Sequence, residues 1–378
     1  MKFLLILLFS FSIFEIKSQT IIPGAEQTNQ YVPLLSDKSV GVVCNHSALI
    51  QHSHLVDSLL KMGIRITKIF APEHGFRGDY AAGEWVATTI DSITQLPIVS
   101  LYGKNKKPTP TDLKGIDILI FDIQDVGVRF YTYISTLHYV MEAAAENHIP
   151  VMILDRPNPL GFYVDGPVLD TTYRSFVGMH PVPIVHGMTI GEYAQMINGE
   201  HWLKNEVQCE LIVIPCKNYN HNLRYKLKIK PSPNLVNMQS VYLYPSLCLF
   251  EGTPISVGRG TLYPFQVIGH PYFKGKYTFS FEAPIKLGNK QLLRTKTHYG
   301  LDLRTATDTT FTLKYLIEFY RNYPQKNEFF NSFFIKLIGN KTILNAIKNN
   351  KTEEEIHKLW QKDVESFKLI RKKYLLYN

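Results

Sequence analysis

The chain has 378 residues, 45% hydrophobic and 19% charged, a balance that excludes a disordered tail or a fibre and leaves room for two or three domain-sized units with a sizeable core. Its 41 lysines and arginines outnumber 32 aspartates and glutamates, a formal net charge of +9 that raises nucleic acid, a membrane surface or an acidic polymer as partners. The location of the charge argues against nucleic acid: residues 18–283 hold 21 basic and 22 acidic residues, whereas residues 284–378 hold 18 and 9. The excess lies in C-terminal helical patterns, where Lys358, Lys362, Lys368, Arg371, Lys372 and Lys373 flank an apolar stripe and read as a solvated outer face.

Lys2 opens the chain, an apolar run follows from Phe3 to Phe14, and polar residues return from Glu15 to Ser18. Such a run is too short to cross the roughly 30 Å hydrocarbon layer as a helix but matches the apolar region of a signal peptide. Residues 1–18 are therefore expected to be a secretory signal, and the mature protein to be periplasmic or extracellular. No later apolar run is long enough to predict an integral membrane segment. Cys44, Cys209, Cys216 and Cys248 fit neither a disulfide scaffold nor a zinc-ligand spacing. Cys44 and Cys248 read as small core hydrophobes, and pairing of Cys209 with Cys216 stays open.

From residue 39 to about 215, short apolar runs alternate with helical patterns. Val40 to Cys44, Ile66 to Phe70, Ile116 to Phe121, Val151 to Leu154 and Leu211 to Ile214 have the length and composition of strands buried on both faces. Leu55 to Met62, Tyr131 to Asn147 and Thr189 to Ile197 read as the helices between them. This alternation predicts an α/β fold with a mainly parallel sheet, in which ligands sit beyond the carboxyl ends of the strands. After residue 216 the alternation fails, which predicts a smaller α+β auxiliary lobe over 216–378 with C-terminal helices beside a catalytic lobe over 19–215. The final segment is expected to carry Ile356, Leu359, Trp360, Val364, Phe367 and Ile370 as one stripe, opened by a Thr352 and Glu355 capping box.

Three strand ends bear ionisable residues. Ala71-Pro-Glu-His-Gly-Phe-Arg-Gly-Asp79 places Glu73, His74, Arg77 and Asp79 in a glycine-punctuated loop, a pattern suited to acid/base chemistry. Asp122 and Asp125 close the most apolar strand, with Arg129 as the expected partner. Asp155, Arg156 and Asn158 occupy the proline-stiffened third loop. Further on, His180 and His186 lack ligand spacing and read as substrate contacts, Glu192 as a capping-box residue with Thr189, and Glu251 with Arg259 as a glycine-flanked pair. Gly258-Arg-Gly260 is not a dinucleotide fingerprint, and neither a Walker A sequence nor a Gly-x-Ser-x-Gly elbow occurs. No cofactor is expected, and no metal.

The ordered motifs Pro72-Glu-His-Gly-Phe-Arg-Gly78, Phe121-Asp-Ile-Gln-Asp-Val-Gly-Val-Arg-Phe-Tyr-Thr-Tyr133, Asp155-Arg-Pro-Asn-Pro159, Gly178-Met-His-Pro181, His186-Gly-Met-Thr189, Pro231-Ser-Pro-Asn234 and Glu251-Gly-Thr253 with Gly258-Arg-Gly-Thr261 closely resemble the NamZ-type exo-β-N-acetylmuramidases. The resemblance spans nearly the whole mature chain. It implies a Rossmann-like lobe, an auxiliary lobe, and a hydrolase that removes N-acetylmuramic acid from the non-reducing end of peptide-free cell-wall glycan fragments. It also implies that the catalytic carboxylate falls on Glu73, with Tyr131, Asn234 and the other motif residues around the sugar. Asn45-His46-Ser47, Asp165 and Val236 depart from the pattern.

Glycoside cleavage needs a second group, here Asp122, Asp125 or the substrate's own acetamido. The lactyl carboxylate of muramic acid suits a planar guanidinium, for which Arg77, Arg129, Arg156 and Arg259 are the candidates. Two other readings stand beside this one: a non-catalytic glycan-binding protein, and a metal-dependent phosphoesterase built on Asp122, Asp125 and Asp155.

Overall fold

A computed structural model describes residues 19–77, 89–287 and 290–377, with side chains described outside 285–293. The expected signal segment and Asp79 lie outside the described residues. Seven strands form one sheet: β1 (Val40–Cys44), β2 (Ile66–Ala71), β3 (Thr89–Ile90), β4 (Pro97–Ser100), β5 (Ile118–Asp122), β6 (Val151–Leu154) and β7 (Leu211–Ile214). Their order is β3-β4-β2-β1-β5-β6-β7, parallel throughout except for the short edge strand β3. The five expected strands are all present, and the α/β fold with a mainly parallel sheet is the observed one.

Side-chain alternation explains why these apolar runs become strands at the centre of the sheet. Val42, Cys44, Ile118, Ile120, Met152 and Leu154 pack on one face with helix α1 (Leu55–Lys61), whereas Val43, Leu119, Phe121, Val151 and Ile153 pack on the other. That second face is covered by α2 (Tyr133–Glu146) and α3 (Ile190–Gly199). A strand clothed on both sides needs hydrophobes at every position, which is why the sequence shows unbroken runs. Thr189 and Glu192 close a capping box at the start of α3, as their spacing predicts, and Glu192 is fully buried.

The second lobe contains α4 (Met238–Leu247) and an antiparallel sheet of β8 (Val267–His270), β9 (Phe279–Leu287) and β10 (Lys290–Asp302), ordered β8-β10-β9. Helices α5 (Lys314–Asn322), α6 (Lys341–Lys348), α7 (Glu353–Lys358) and α8 (Gln361–Arg371) follow. One continuous apolar core runs from Phe121 and Tyr193 to Phe319 and Phe367, so the lobes share an interior. The C-terminal segment returns to the first lobe: Trp360 Nε1 donates to Asp165 Oδ1 at 2.9 Å, and the Tyr377 hydroxyl donates to Asp155 Oδ2 at 2.6 Å.

The C-terminal stripe differs from expectation. Thr352 and Glu355 do form their capping box, but the pattern is divided between α7 and α8, and Leu359 at the junction is 40% exposed. All four cysteines are buried and unpaired, which settles Cys209 and Cys216 as separate thiols in this structure.

Candidate active site

Strand β2 ends at Ala71, and the chain turns at once. The Gly75 amide donates to the Pro72 carbonyl at 3.0 Å, which makes Glu73 and His74 the central residues of a tight turn. His74 has φ 73° and Gly75 φ 77°. A positive φ at the third turn position suits glycine, so histidine there stores backbone strain of the kind that gathers at functional sites. Phe76 anchors the turn by packing edge-on against His54 at 4.7 Å.

Glu73 is half-buried and faces a cleft with about 410 Å³ of empty space. Its lining brings together Glu73, His74, Tyr131 and Asn234 with Arg259 of the second lobe. Glu73 is the one carboxylate in that lining among the described residues. Aromatic rings form the wall: Tyr131 meets Tyr133 at 4.9 Å and Tyr244 at 5.9 Å, and Tyr244 meets Phe265 at 5.0 Å, all edge-to-face. Such rings present apolar faces to a sugar ring while their hydroxyls stay hydrogen-bonded. The Tyr131 hydroxyl donates to the Pro231 carbonyl at 2.7 Å, and Asn45 Nδ2 donates to the Tyr133 hydroxyl at 2.8 Å.

Two hydroxyls stand by the Glu73 carboxylate. The Thr132 hydroxyl donates to Oε2 at 3.1 Å, and the Tyr102 phenol stands at the neighbouring strand end, near enough for the Glu73 charge to act on it. Burial and the Glu73 charge push the Tyr102 phenol up to about 12. Sequence reasoning missed Tyr102 as well as Thr132. A weak signal exists in Leu101-Tyr-Gly103, which follows the short apolar stretch Ile98-Val99.

The four candidate arginines part ways. Arg77 grips Asp91 through two bonds of 2.9 and 3.0 Å and also reaches Asp57, tying the turn to α1; the Arg77 bonds hold the Asp91 carboxyl well below the usual range. Arg156 is buried and bidentate to Asp122 at 2.5 and 2.8 Å. Arg129, expected to partner the strand-end aspartates, is fully buried and instead donates to four carbonyl oxygens, of Pro167, Val182, Leu337 and Ile338, at 2.7–3.0 Å. It staples the lobes together and has no donor facing the cleft. Arg259 lies over the Phe265 ring at 5.1 Å, and its Nε donates to Glu251. No protein partner is recorded for its Nη nitrogens among the described residues. Gly258 (φ 73°) and Gly260 (φ 78°) supply the left-handed turns that present it, and a Cβ on Gly258 would meet Val267 Cγ2 at 2.6 Å.

The other strand-end carboxylates are closed in. Asp122 is fully buried and held by Arg156 rather than Arg129. Asp125 accepts from the Gly127 amide at 2.6 Å; its second oxygen has no partner among the described residues, and burial raises its pKa to about 7. Asp155 accepts from the Thr189 and Tyr377 hydroxyls and the Gly191 amide at 2.6–2.8 Å, and burial raises it to about 6. Asn158 braces the Asp125 loop from below, bonding the Met188 carbonyl at 2.9 Å while packing where a Cβ on Gly127 would sit. His180 and His186, expected to touch substrate, are 1% exposed; His180 bridges Tyr193 and His138 at 3.0 Å each, and burial pulls His186 down to about 3. They do not line the cleft. Among the described residues no group of three His, Cys, Asp or Glu is placed to hold a metal ion, and Asp122, Asp125 and Asp155 have the separate local partners just given.

Comparison with known proteins agrees with this architecture. The profile of the N-terminal domain of exo-beta-N-acetylmuramidase NamZ matches residues 40–239, and that of its C-terminal domain matches residues 242–377. The chain is 40% identical over 371 residues to the peptidoglycan beta-N-acetylmuramidase NamZ of Bacillus subtilis, covering 92% of this chain and 89% of that protein. Crystal structures of two DUF1343 family proteins from Bacteroides fragilis superpose with TM-scores of 0.87 and 0.79 at 47% and 30% identity, each covering 95% of this chain and 99% of the other. With both domain profiles matched in order and a relative of such identity along most of its length, this chain belongs to the exo-beta-N-acetylmuramidase NamZ family.

Proposed function

We propose that the protein is an exo-acting glycosidase that releases N-acetylmuramic acid from the non-reducing end of peptide-free peptidoglycan fragments. The observation that carries this reading is the meeting of Glu73 and Arg259, from different lobes, in one aromatic-walled cleft. Glu73 serves as general acid/base at the glycosidic oxygen. Arg259, oriented by Glu251 through Nε, offers its two Nη nitrogens to the lactyl carboxylate, a pairing that planar guanidinium geometry favours. Asp122 and Asp125 are too enclosed for the second role, and of the groups weighed above the substrate's acetamido oxygen remains in reach of the anomeric carbon. Its participation gives retention of configuration. The apolar run from Phe3 to Phe14 supports export to the periplasm or beyond, where wall fragments arise.

The test is mass spectrometry of products from a disaccharide with muramic acid at the non-reducing end, with and without chelator. Release of free N-acetylmuramic acid under both conditions is expected. Binding without product would favour a glycan-binding protein, and loss with chelator restored by Mg²⁺ or Mn²⁺ would favour the metal-dependent alternative. NMR of the first-formed anomer reads the stereochemistry, and an inverted product overturns acetamido participation.

A further inference from the structure

Resting on Glu73 as the acid/base, we propose that Tyr102 and Thr132 form a two-donor clamp that fixes the Glu73 carboxylate, making both positioning residues for the reaction. The clamp is a product of sheet register. Ala71 of β2 pairs with Ser100 of β4, and the Leu101 amide extends the ladder by donating to the Ala71 carbonyl at 2.8 Å. The next residue on each strand therefore leaves the sheet at the same level, which sets Tyr102 beside the Pro72-Glu73 turn. Gly103, at φ 76°, then turns the chain away.

Thr132 comes from the opposite flank. It stands at the N-cap of α2, where a threonine hydroxyl ordinarily accepts a bond from a backbone amide of the first turn. Here it makes no such cap bond, and the hydroxyl instead donates to Glu73. A helix start that forgoes its own cap in favour of a carboxylate is an observation that helix stability does not account for. Tyr102 is half-buried and is not part of the cleft lining, so it acts through Glu73 rather than on the sugar. Its raised pKa keeps the phenol protonated as a donor across neutral pH. The other ionisable groups around the carboxylate are His74 on the same turn, Tyr133 of α2, and Arg259 of the second lobe, whose charge also reaches Tyr102.

The test compares Tyr102→Phe, Thr132→Val and Thr132→Ser with the wild type on a chromogenic muramic acid glycoside, recording kcat and KM separately. Removing one donor to a charged carboxylate is expected to lower kcat by about 10- to 100-fold with KM changed by less than about 3-fold. Thr132→Ser keeps the donor and is expected to restore kcat, a rescue that a merely structural threonine would not require. Wild-type kcat in Tyr102→Phe and Thr132→Val would overturn the clamp. If Tyr102→Phe fails to fold, the Val and Ser pair at position 132 decides. An inactive wild type would instead overturn the muramidase reading, and full activity in Glu73→Gln would overturn Glu73 as its catalyst.

Discussion

Two regions of the same sheet carry carboxylates at or just beyond the ends of parallel strands, and they have opposite fates. At the end of β2, Glu73 is half-buried, faces a cleft and meets the neutral Thr132 hydroxyl. At the ends of β5 and β6, Asp122 and Asp155 are fully buried, the first neutralised by Arg156 and the second enclosed by three hydroxyl and amide donors besides its own neighbour's amide. A strand-end acid is therefore not in itself a catalyst. What separates the two regions is whether long-range partners seal the carboxylate or leave one side open to a ligand.

The largest effect should fall on Glu73. Glu73→Gln is expected to lower kcat on the order of 10³-fold, the usual worth of a positioned acid/base group, with an unchanged urea midpoint. A large loss of stability instead would move Glu73 into the sealed class. Asp122→Ala should do the reverse by stranding the buried Arg156 charge, costing about 3–5 kcal/mol of stability, as removal of one partner from a buried pair does. Chemical denaturation measures it, and a cost under about 1 kcal/mol would break the comparison from the other side.

The openness of Glu73 and the closure of the aspartates could not be seen in the sequence, although the strand ends themselves could. Runs such as Val40 to Cys44 and Ile118 to Phe121 announce strands because both of their faces are buried. The edge strand β3 and its neighbour β4 escaped because Thr89, Ile90 and Pro97 are exposed and the apolar stretch is only Ile98-Val99. Partnerships were hidden by sequence distance: Asp122 finds Arg156, Asp155 finds Tyr377 near the chain end, and Arg129 finds the carbonyls of Leu337 and Ile338. The first pairing depends on β5 lying beside β6 and the other two on how the lobes close on one another, and local spacing encodes neither. The motifs nonetheless placed Glu73, His74, Tyr131, Asn234 and Arg259, because loop residues that line a cleft are punctuated by prolines and glycines that read plainly.

Arg259 extends the comparison to cations, since Arg129 and Arg156 are sealed and Arg259 is open. Arg259→Met is expected to raise KM for a muramic acid glycoside while leaving the N-acetylglucosamine analogue, which lacks the lactyl group, nearly unchanged. The selectivity ratio should fall by about 10- to 100-fold, the worth of a charge-assisted pair. Parallel losses on both substrates would show that Arg259 shapes the cleft without reading the carboxylate.

Asp125 tests the boundary between the two regions, being buried like Asp122 but lacking a cation. Its pKa of about 7 lies above the value near 4 of an unfolded chain. The folded state therefore binds a proton more tightly, so the stability from this group is complete below the unfolded value and is lost as pH rises through about 7. The amide introduced by Asp125→Asn would not titrate yet would keep an oxygen for the Gly127 amide. Stability of the variant relative to wild type should accordingly climb between pH 5 and pH 8, by on the order of 2 kcal/mol. The buried histidines His138, His180 and His186, whose pKa values burial lowers, give wild type and variant alike the opposite slope, stability falling as pH drops, and so cancel in the difference. A difference that stays flat across that range would mean that Asp125 is already ionised in the folded protein and is solvated through its second oxygen, which would place it with Glu73 among the open carboxylates.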